Sequence, residues 1–119
     1  DQVFQPLRGD HGLNLAGGAK AAVTEYFQDR GVMPGDNATA GLEAPGGIQG
    51  KYVVAVGVGT DGSGVDGEIR VDFGNDAHST LAPGFLLLTP STVNAGSVAW
   101  VCTGSGIANK HLPAACRTP

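Results

Sequence analysis

The chain has 119 residues, a formal net charge of −4 at pH 7 and 41% hydrophobic residues, which suits one domain around a single modest core. With 15% charged residues and a sequence pI near 5.1, the composition argues against general affinity for nucleic acid or an anionic membrane surface. Apolar runs such as Phe85-Leu86-Leu87-Leu88 are far too short to cross a bilayer, and no charged-then-apolar signal segment opens the chain.

The first stretch with a clear period is Leu15, Ala16, Ala19, Ala22, Val23, Tyr26 and Phe27, whose spacings of one, three and four draw one stripe on a helix. With Asn14 as N-cap and Gly31 as stop, this predicts an amphipathic helix over about 14–30. Gly17 and Gly18 each weaken that helix by about 1 kcal/mol, so tertiary packing must hold it. Residues 31–50 carry Pro34, Pro45 and six glycines with no sustained period, and read as a long irregular connection wrapped over the surface.

From Lys51 the period shortens to that of strands. Tyr52-Val53-Val54-Ala55-Val56 is one, and Glu68-Ile69-Arg70-Val71-Asp72-Phe73 alternates cleanly between polar and apolar residues. Gly59-Thr60-Asp61-Gly62-Ser63-Gly64 supplies turn chemistry between them, as in a hairpin. A third strand is expected over about 84–89 and a fourth over about 97–102, with a turn over 90–96. One helix followed by an antiparallel four-stranded meander is an α+β arrangement in which the helix covers one face of the sheet.

Several motifs invite sharper chemistry and fail on context. Gly57-Val58-Gly59-Thr60-Asp61-Gly62 matches a dinucleotide-binding glycine pattern, but a strand follows where a helix N-terminus would have to receive the pyrophosphate. Asp61, Asp66 and Glu68 lack the ligand order of an EF-hand and read as a polar hairpin tip. His11, His78 and His111 have no metal-ligand spacing and no nucleophile beside them, so neither a metal site nor a catalytic site is expected. Arg8-Gly9-Asp10 spells an adhesion tripeptide and Asn37-Ala38-Thr39 a glycosylation sequon, both short enough to arise by chance.

Cys102 and Cys116 are the only cysteines. Their spacing suits neither a CxxC redox pair nor a zinc site, and a bridge between them would close a ring of about 15 residues, stabilising by about 3 kcal/mol. A disulfide is the favoured reading and two buried free thiols the alternative. If the bridge forms, the protein works in an oxidising place such as the periplasm or the cell exterior. Trp100 shares a strand face with Val98 and Cys102 and reads as a core plug.

Two separate stretches resemble the type IV pilins of Gram-negative bacteria. Gly12-Leu13-Asn14-Leu15-Ala16-Gly17-Gly18-Ala19-Lys20-Ala21-Ala22-Val23-Thr24-Glu25-Tyr26-Phe27 is similar to the exposed half of the pilin spine helix, and Met33-Pro34-Gly35-Asp36-Asn37 to the loop after it. Gly50-Lys51-Tyr52-Val53 resembles the first sheet strand. Val98-Ala99-Trp100-Val101-Cys102 with Leu112-Pro113-Ala114-Ala115-Cys116 resembles the last strand and the disulfide-bounded region of the major subunit. Residues 12–119 are covered, which would make them a globular domain with a sheet over about 51–102 and a disulfide loop over 102–116.

The resemblance implies an N-terminal spine helix packed on a four-stranded antiparallel sheet with a C-terminal disulfide-bounded loop. It also implies a structural, non-enzymatic subunit of an extracellular pilus, or fimbrium, that supports adhesion, twitching motility and DNA uptake, with no cofactor and no metal. Partners so implied are other copies of the subunit in a helical fibre, the pilus assembly machinery and a host-surface receptor. A minor pilin or a secretion-system pseudopilin is the alternative, although pseudopilins usually lack the terminal disulfide loop. The family carries a very hydrophobic N-terminal half-helix that opens with a methylated Phe, which provides its membrane contact before assembly. Residues 1–11 do not resemble it, so a truncated subunit with an unrelated leader is expected. Within the terminal loop, Lys110, His111, Leu112 and Pro113 combine a cation, a titratable ring and an apolar anchor beside a stiff turn. They are the candidate receptor-binding or subunit-contact residues, against the alternative of a loop that only caps the sheet edge.

Overall fold

A computed structural model describes residues 4–49, 53–74, 84–92, 98–107 and 116, with side chains from Ala16 onward. Helix α1 spans Phe4–Arg30 and begins ten residues ahead of the expected Asn14 cap. Asn14 therefore lies inside the helix. The reason is local: Pro6 sits in the first turn, where its missing N–H has no intrahelical partner to lose, and glycines such as Gly9 and Gly12 weaken a helix without ending it. The far end is where the sequence places it. Gly31 takes φ +76°, and its N–H reaches the Phe27 carbonyl at 2.7 Å, closing the helix in a left-handed cap. No described helix is long and apolar enough to cross a membrane.

Four strands follow: β1 (Val53–Val58), β2 (Ile69–Phe73), β3 (Phe85–Ser91) and β4 (Ala99–Ser105). They pair antiparallel in the order β1-β2-β3-β4, the expected meander. Val56 lies opposite Val71, Val71 opposite Leu86, and Leu88 opposite Cys102, so each rung carries apolar side chains to the same face. Between Val53 and Ala55 the register shifts by one residue. That bulge puts Val53 and Val56, three apart, on the buried face together, which a strict period of two could not do. β3 continues two residues into the stretch expected as a turn and includes Pro90. Its pairing with β2 stops at Leu88, so beyond that point β4 is its only described neighbour and a proline disturbs little of the ladder.

The core lies between α1 and the inner sheet face. Ala16, Ala19 and Val23 from the helix meet Val53, Val56, Val58, Ile69, Val71, Phe73, Leu86 and Leu88, all buried. The helical stripe is narrower than its period suggests, because Ala22, Tyr26 and Phe27 are only half-buried. Small residues at 16 and 19 let the helix backbone approach the sheet closely. Each fully buried Leu or Val contributes about 2 kcal/mol. The continuous apolar run of β3 divides by face: Leu86 and Leu88 enter the core, while Phe85 turns outward beneath the Arg70 guanidinium, 3.8 Å from its ring centre. Arg70 also bonds Asp72 at 2.9 Å, which screens the ring with a paired charge.

Two glycines of the same domain should respond oppositely to alanine. At Gly18 an added Cβ meets nothing within 4 Å, so Gly18→Ala should stabilise by about 1 kcal/mol. At Gly59 (φ +57°) the Cβ would fall 2.3 Å from the Gly35 carbonyl oxygen. Gly59→Ala should therefore destabilise by about 3 kcal/mol. Urea unfolding of both variants checks the pair, and equal midpoints would contradict it.

Candidate functional site

The C-terminal feature forms as a disulfide: Cys102 and Cys116 are bonded, with Cα atoms 4.5 Å apart, and no free cysteine remains. Cys102 lies on the core-side face of β4, opposite Leu88, and Cys116 is fully buried in the core cluster. The covalent ring is thus anchored on the edge strand at one end and inside the core at the other. Trp100, two residues before Cys102, packs against the core while remaining half-buried, so it closes the rim of the core instead of filling its centre. Lys110, His111, Leu112 and Pro113 lie outside the described residues, as do His78 and Val93 to Ser97.

The long connection after α1 is the other irregular element. It is bound to β1 and to the segment that joins β1 to β2. The Pro34 carbonyl accepts from Gly67 N–H at 2.9 Å, and the Gly35 carbonyl accepts from Thr60 N–H at 2.8 Å and Thr60 Oγ1 at 3.0 Å. Deeper in lies Asn37, only 1% exposed. Its Nδ2 donates to the carbonyls of Glu43 (2.8 Å) and Val56 (3.0 Å), and its Oδ1 accepts from Val58 N–H (2.6 Å). Its own backbone N–H donates to Asp61 Oδ2 at 3.0 Å. Met33, Leu42 and Ile48 from the same connection pack against the core.

This geometry gives the remaining motifs their meaning. The sequon asparagine has both Nδ2 hydrogens committed inside the protein, so in the folded state it is a structural residue and no acceptor for glycan. The glycine pattern at 57, 59 and 62 serves packing. A Cβ at Gly57 would sit 2.2 Å from the Asp61 carbonyl oxygen, and one at Gly62 would sit 2.6 Å from the Gly57 carbonyl oxygen. A short 3₁₀ turn (Gly59–Asp61) follows β1, with no helix N-terminus there for a phosphate. Of the three carboxylates expected at a polar tip, Asp61 holds Asn37, and Glu68, nearly buried, accepts from Thr89 Oγ1 at 2.8 Å. Among the described residues no group of His, Cys, Asp or Glu could hold a metal ion. Arg8-Gly9-Asp10 lies within α1 and not on a loop tip.

Beside the connection, an open groove of about 460 Å³ runs between it and α1, lined by Ala22, Glu25, Tyr26, Asp29, Ala40 and Gly41. Arg30 lies over the Tyr26 ring at 5.5 Å and bonds Asp29 at 3.1 Å. These groups make a polar surface recess with no nucleophile and base in contact. Sequence reading did not find Asn37 as the centre of the connection, because an Asn after Pro-Gly-Asp looks like any turn residue. The only pointer was that Met33 to Asn37 resembles a family loop.

At the start of this turn the hydroxyl and backbone N–H of Thr39 both bond the Asp36 carboxylate, the latter at 2.7 Å, and hold its pKa below the usual 3.8. A lowered folded-state pKa gives stability that is present above the unfolded value and lost as pH falls through the folded one. NMR titration should place the Asp36 midpoint below 3.8, and Thr39→Ala, which removes the hydroxyl and keeps the N–H, should move it part of the way back up. An unmoved midpoint in the variant would show that Thr39 is not the cause.

The comparisons with known proteins agree with this architecture. The family described as Pilin (bacterial filament) matches residues 9–117. The fimbrial protein EcpC of Eikenella corrodens is 41% identical over 105 residues, covering 88% of this chain and 65% of that protein. The type IV major pilin protein PilE of Neisseria gonorrhoeae is 32% identical over 122 residues, covering 87% of this chain and 70% of that protein. A fimbrial protein of Neisseria meningitidis serogroup B is 30% identical over 125 residues, again covering 87% and 70%. The chain spans about two thirds of the length of these relatives. A spine helix on a four-stranded antiparallel sheet, closed by a terminal disulfide and matched over nearly its whole length, places the chain in the pilin family, the structural, non-enzymatic proteins of extracellular bacterial filaments.

Proposed function

We propose that the chain is the globular head of the major subunit of a type IV pilus, a structural part repeated along the fibre. The observation that carries this reading is the continuous family match over residues 9–117, which includes both the helix and the terminal disulfide. Relatives named as fimbrial protein and type IV major pilin support the major subunit over a minor pilin or a pseudopilin. Its partners are then other copies of the subunit and the machinery that assembles them, and the fibre serves adhesion, twitching motility and DNA uptake. With a net charge of −4, DNA contact would fall to local cations such as Lys51, Lys110 and Arg117.

Recognition of a host surface is assigned to Lys110, His111, Leu112 and Pro113. Their support is the ring that contains them: its two ends are joined by a covalent bond, one end on β4 and the other in the core. A loop restricted before any partner arrives loses less entropy on binding than a free tail does.

Gold-labelled antibody against this chain should mark pili of the parent bacterium along their whole shaft. Label confined to fibre tips, or absent from fibres, would refute the major-subunit reading. Pili carrying Lys110→Ala with His111→Ala should keep their length and disulfide and lose at least tenfold in attachment to host cells, about 1.4 kcal/mol. Undiminished attachment at low and physiological salt would show the loop to be structural.

A further inference from the structure

β1 is an edge strand, with β2 on one side and no described strand on the other. Edge strands present N–H and C=O groups to any chain that can pair with them, and native proteins blunt them with charge, proline or a cover. β1 has neither charge nor proline: it reads Val-Val-Ala-Val-Gly-Val. Such a segment pairs readily with copies of itself.

Backbone parity shows which of its groups are at risk. Gly57 lies opposite Arg70, and Gly59 N–H bonds the Glu68 carbonyl, so these residues face β2. The alternate groups, Val56 C=O and Val58 N–H, point the other way. Both are taken by one side chain, Asn37, through Nδ2 at 3.0 Å and Oδ1 at 2.6 Å. A primary amide carries a donor and an acceptor disposed much as in a peptide group. Asn37 therefore supplies the rung that a neighbouring strand would otherwise make.

We infer that Asn37 is a latch that keeps the β1 edge shut, and that once it is released this edge pairs with β1 of a second copy of the chain. Asn37 is seated by Asp61 Oδ2 on its N–H and by the Glu43 carbonyl on its Nδ2, and the loop is closed behind it by Leu42 N–H on the Asn37 carbonyl at 2.8 Å. None of these bonds belongs to the β1–β2 ladder, so breaking them, together with the Leu42 contact to the core, frees residues 36–43 while the sheet stays paired. The occupant is a second copy because two charge-free β1 segments oppose no like charges when they meet antiparallel about a two-fold axis. The latch belongs to the head alone, whether or not that head is part of a fibre.

The test uses Asn37→Ala and the near-isosteric Asn37→Asp, which keeps the acceptor for Val58 and loses the donor for Val56 and Glu43. Light scattering and amide hydrogen exchange are followed from about 10 to about 500 μM protein. The parent should stay monomeric with a slow Val58 amide. In folded Asn37→Ala the Val58 amide of the dilute monomer should exchange about 100-fold faster while Val71 stays slow, a local opening of the edge, and in Asn37→Asp, which keeps the Val58 acceptor, the rise should be smaller. At high concentration the mass should double and the Val58 amide should become protected again. A folded variant that remains monomeric throughout, or a dimer in which Val58 stays unprotected, would overturn the inference. Loss of the fold in both variants would overturn it as well, since Asn37 would then be an indispensable core residue and not a releasable latch.

Discussion

The side-chain amide of Asn37 satisfies two backbone groups at the edge of the sheet and one in the loop, and the seating of the middle of the connection against β1 depends on it. A typical hydrogen bond contributes only about 1 kcal/mol net, but leaving a buried N–H or C=O unpaired costs about 1–3 kcal/mol. The asymmetry is what fixes the arrangement. With Asn37 seated, the Val56 and Val58 groups are paired and the connection lies against β1; with any apolar residue there, both lose their partner, and the edge must either open or bear that cost.

The two ends of the sheet are secured by different chemistry. At β1 the device is a set of hydrogen bonds from a loop; at β4 it is a covalent bond from Cys102 to a cysteine inside the core. A small domain gains from both, because the described helical contribution to the core, Ala16, Ala19 and Val23, buries little area per residue. The outer sheet face is also managed locally: the guanidinium of Arg70 covers Phe85 and is itself neutralised by Asp72.

These constraints bear on the role of a filament subunit. Pro34 and Gly35 tie the long connection to the segment between β1 and β2, Asn37 ties it to β1 and Ile48 to the core, so it presents a preformed surface. A subunit repeated many times benefits from this, since every contact made through a rigid surface avoids an ordering cost.

The amino-acid sequence by itself determined the elements whose signals are local. The alternation from Glu68 to Phe73, the stop at Gly31 and the lone cysteine pair each state their structure within a few residues, and the stretches around Met33 and Trp100 carried the family resemblance. The start of α1 at Phe4 was misplaced because Asn14 is a good cap in isolation, and only the continued helix makes it an interior residue. The bulge at Val54 and the packing role of the glycines at 57, 59 and 62 were hidden for a related reason: each depends on what lies opposite in space. Asn37 is the clearest case. Its partners stand 6, 19, 21 and 24 positions away, and an amide has no assigned role until the tertiary fold brings a particular donor and acceptor to it. Periodicity and covalent pairing are written along the chain, whereas satisfaction of buried polar groups is decided only when distant segments meet.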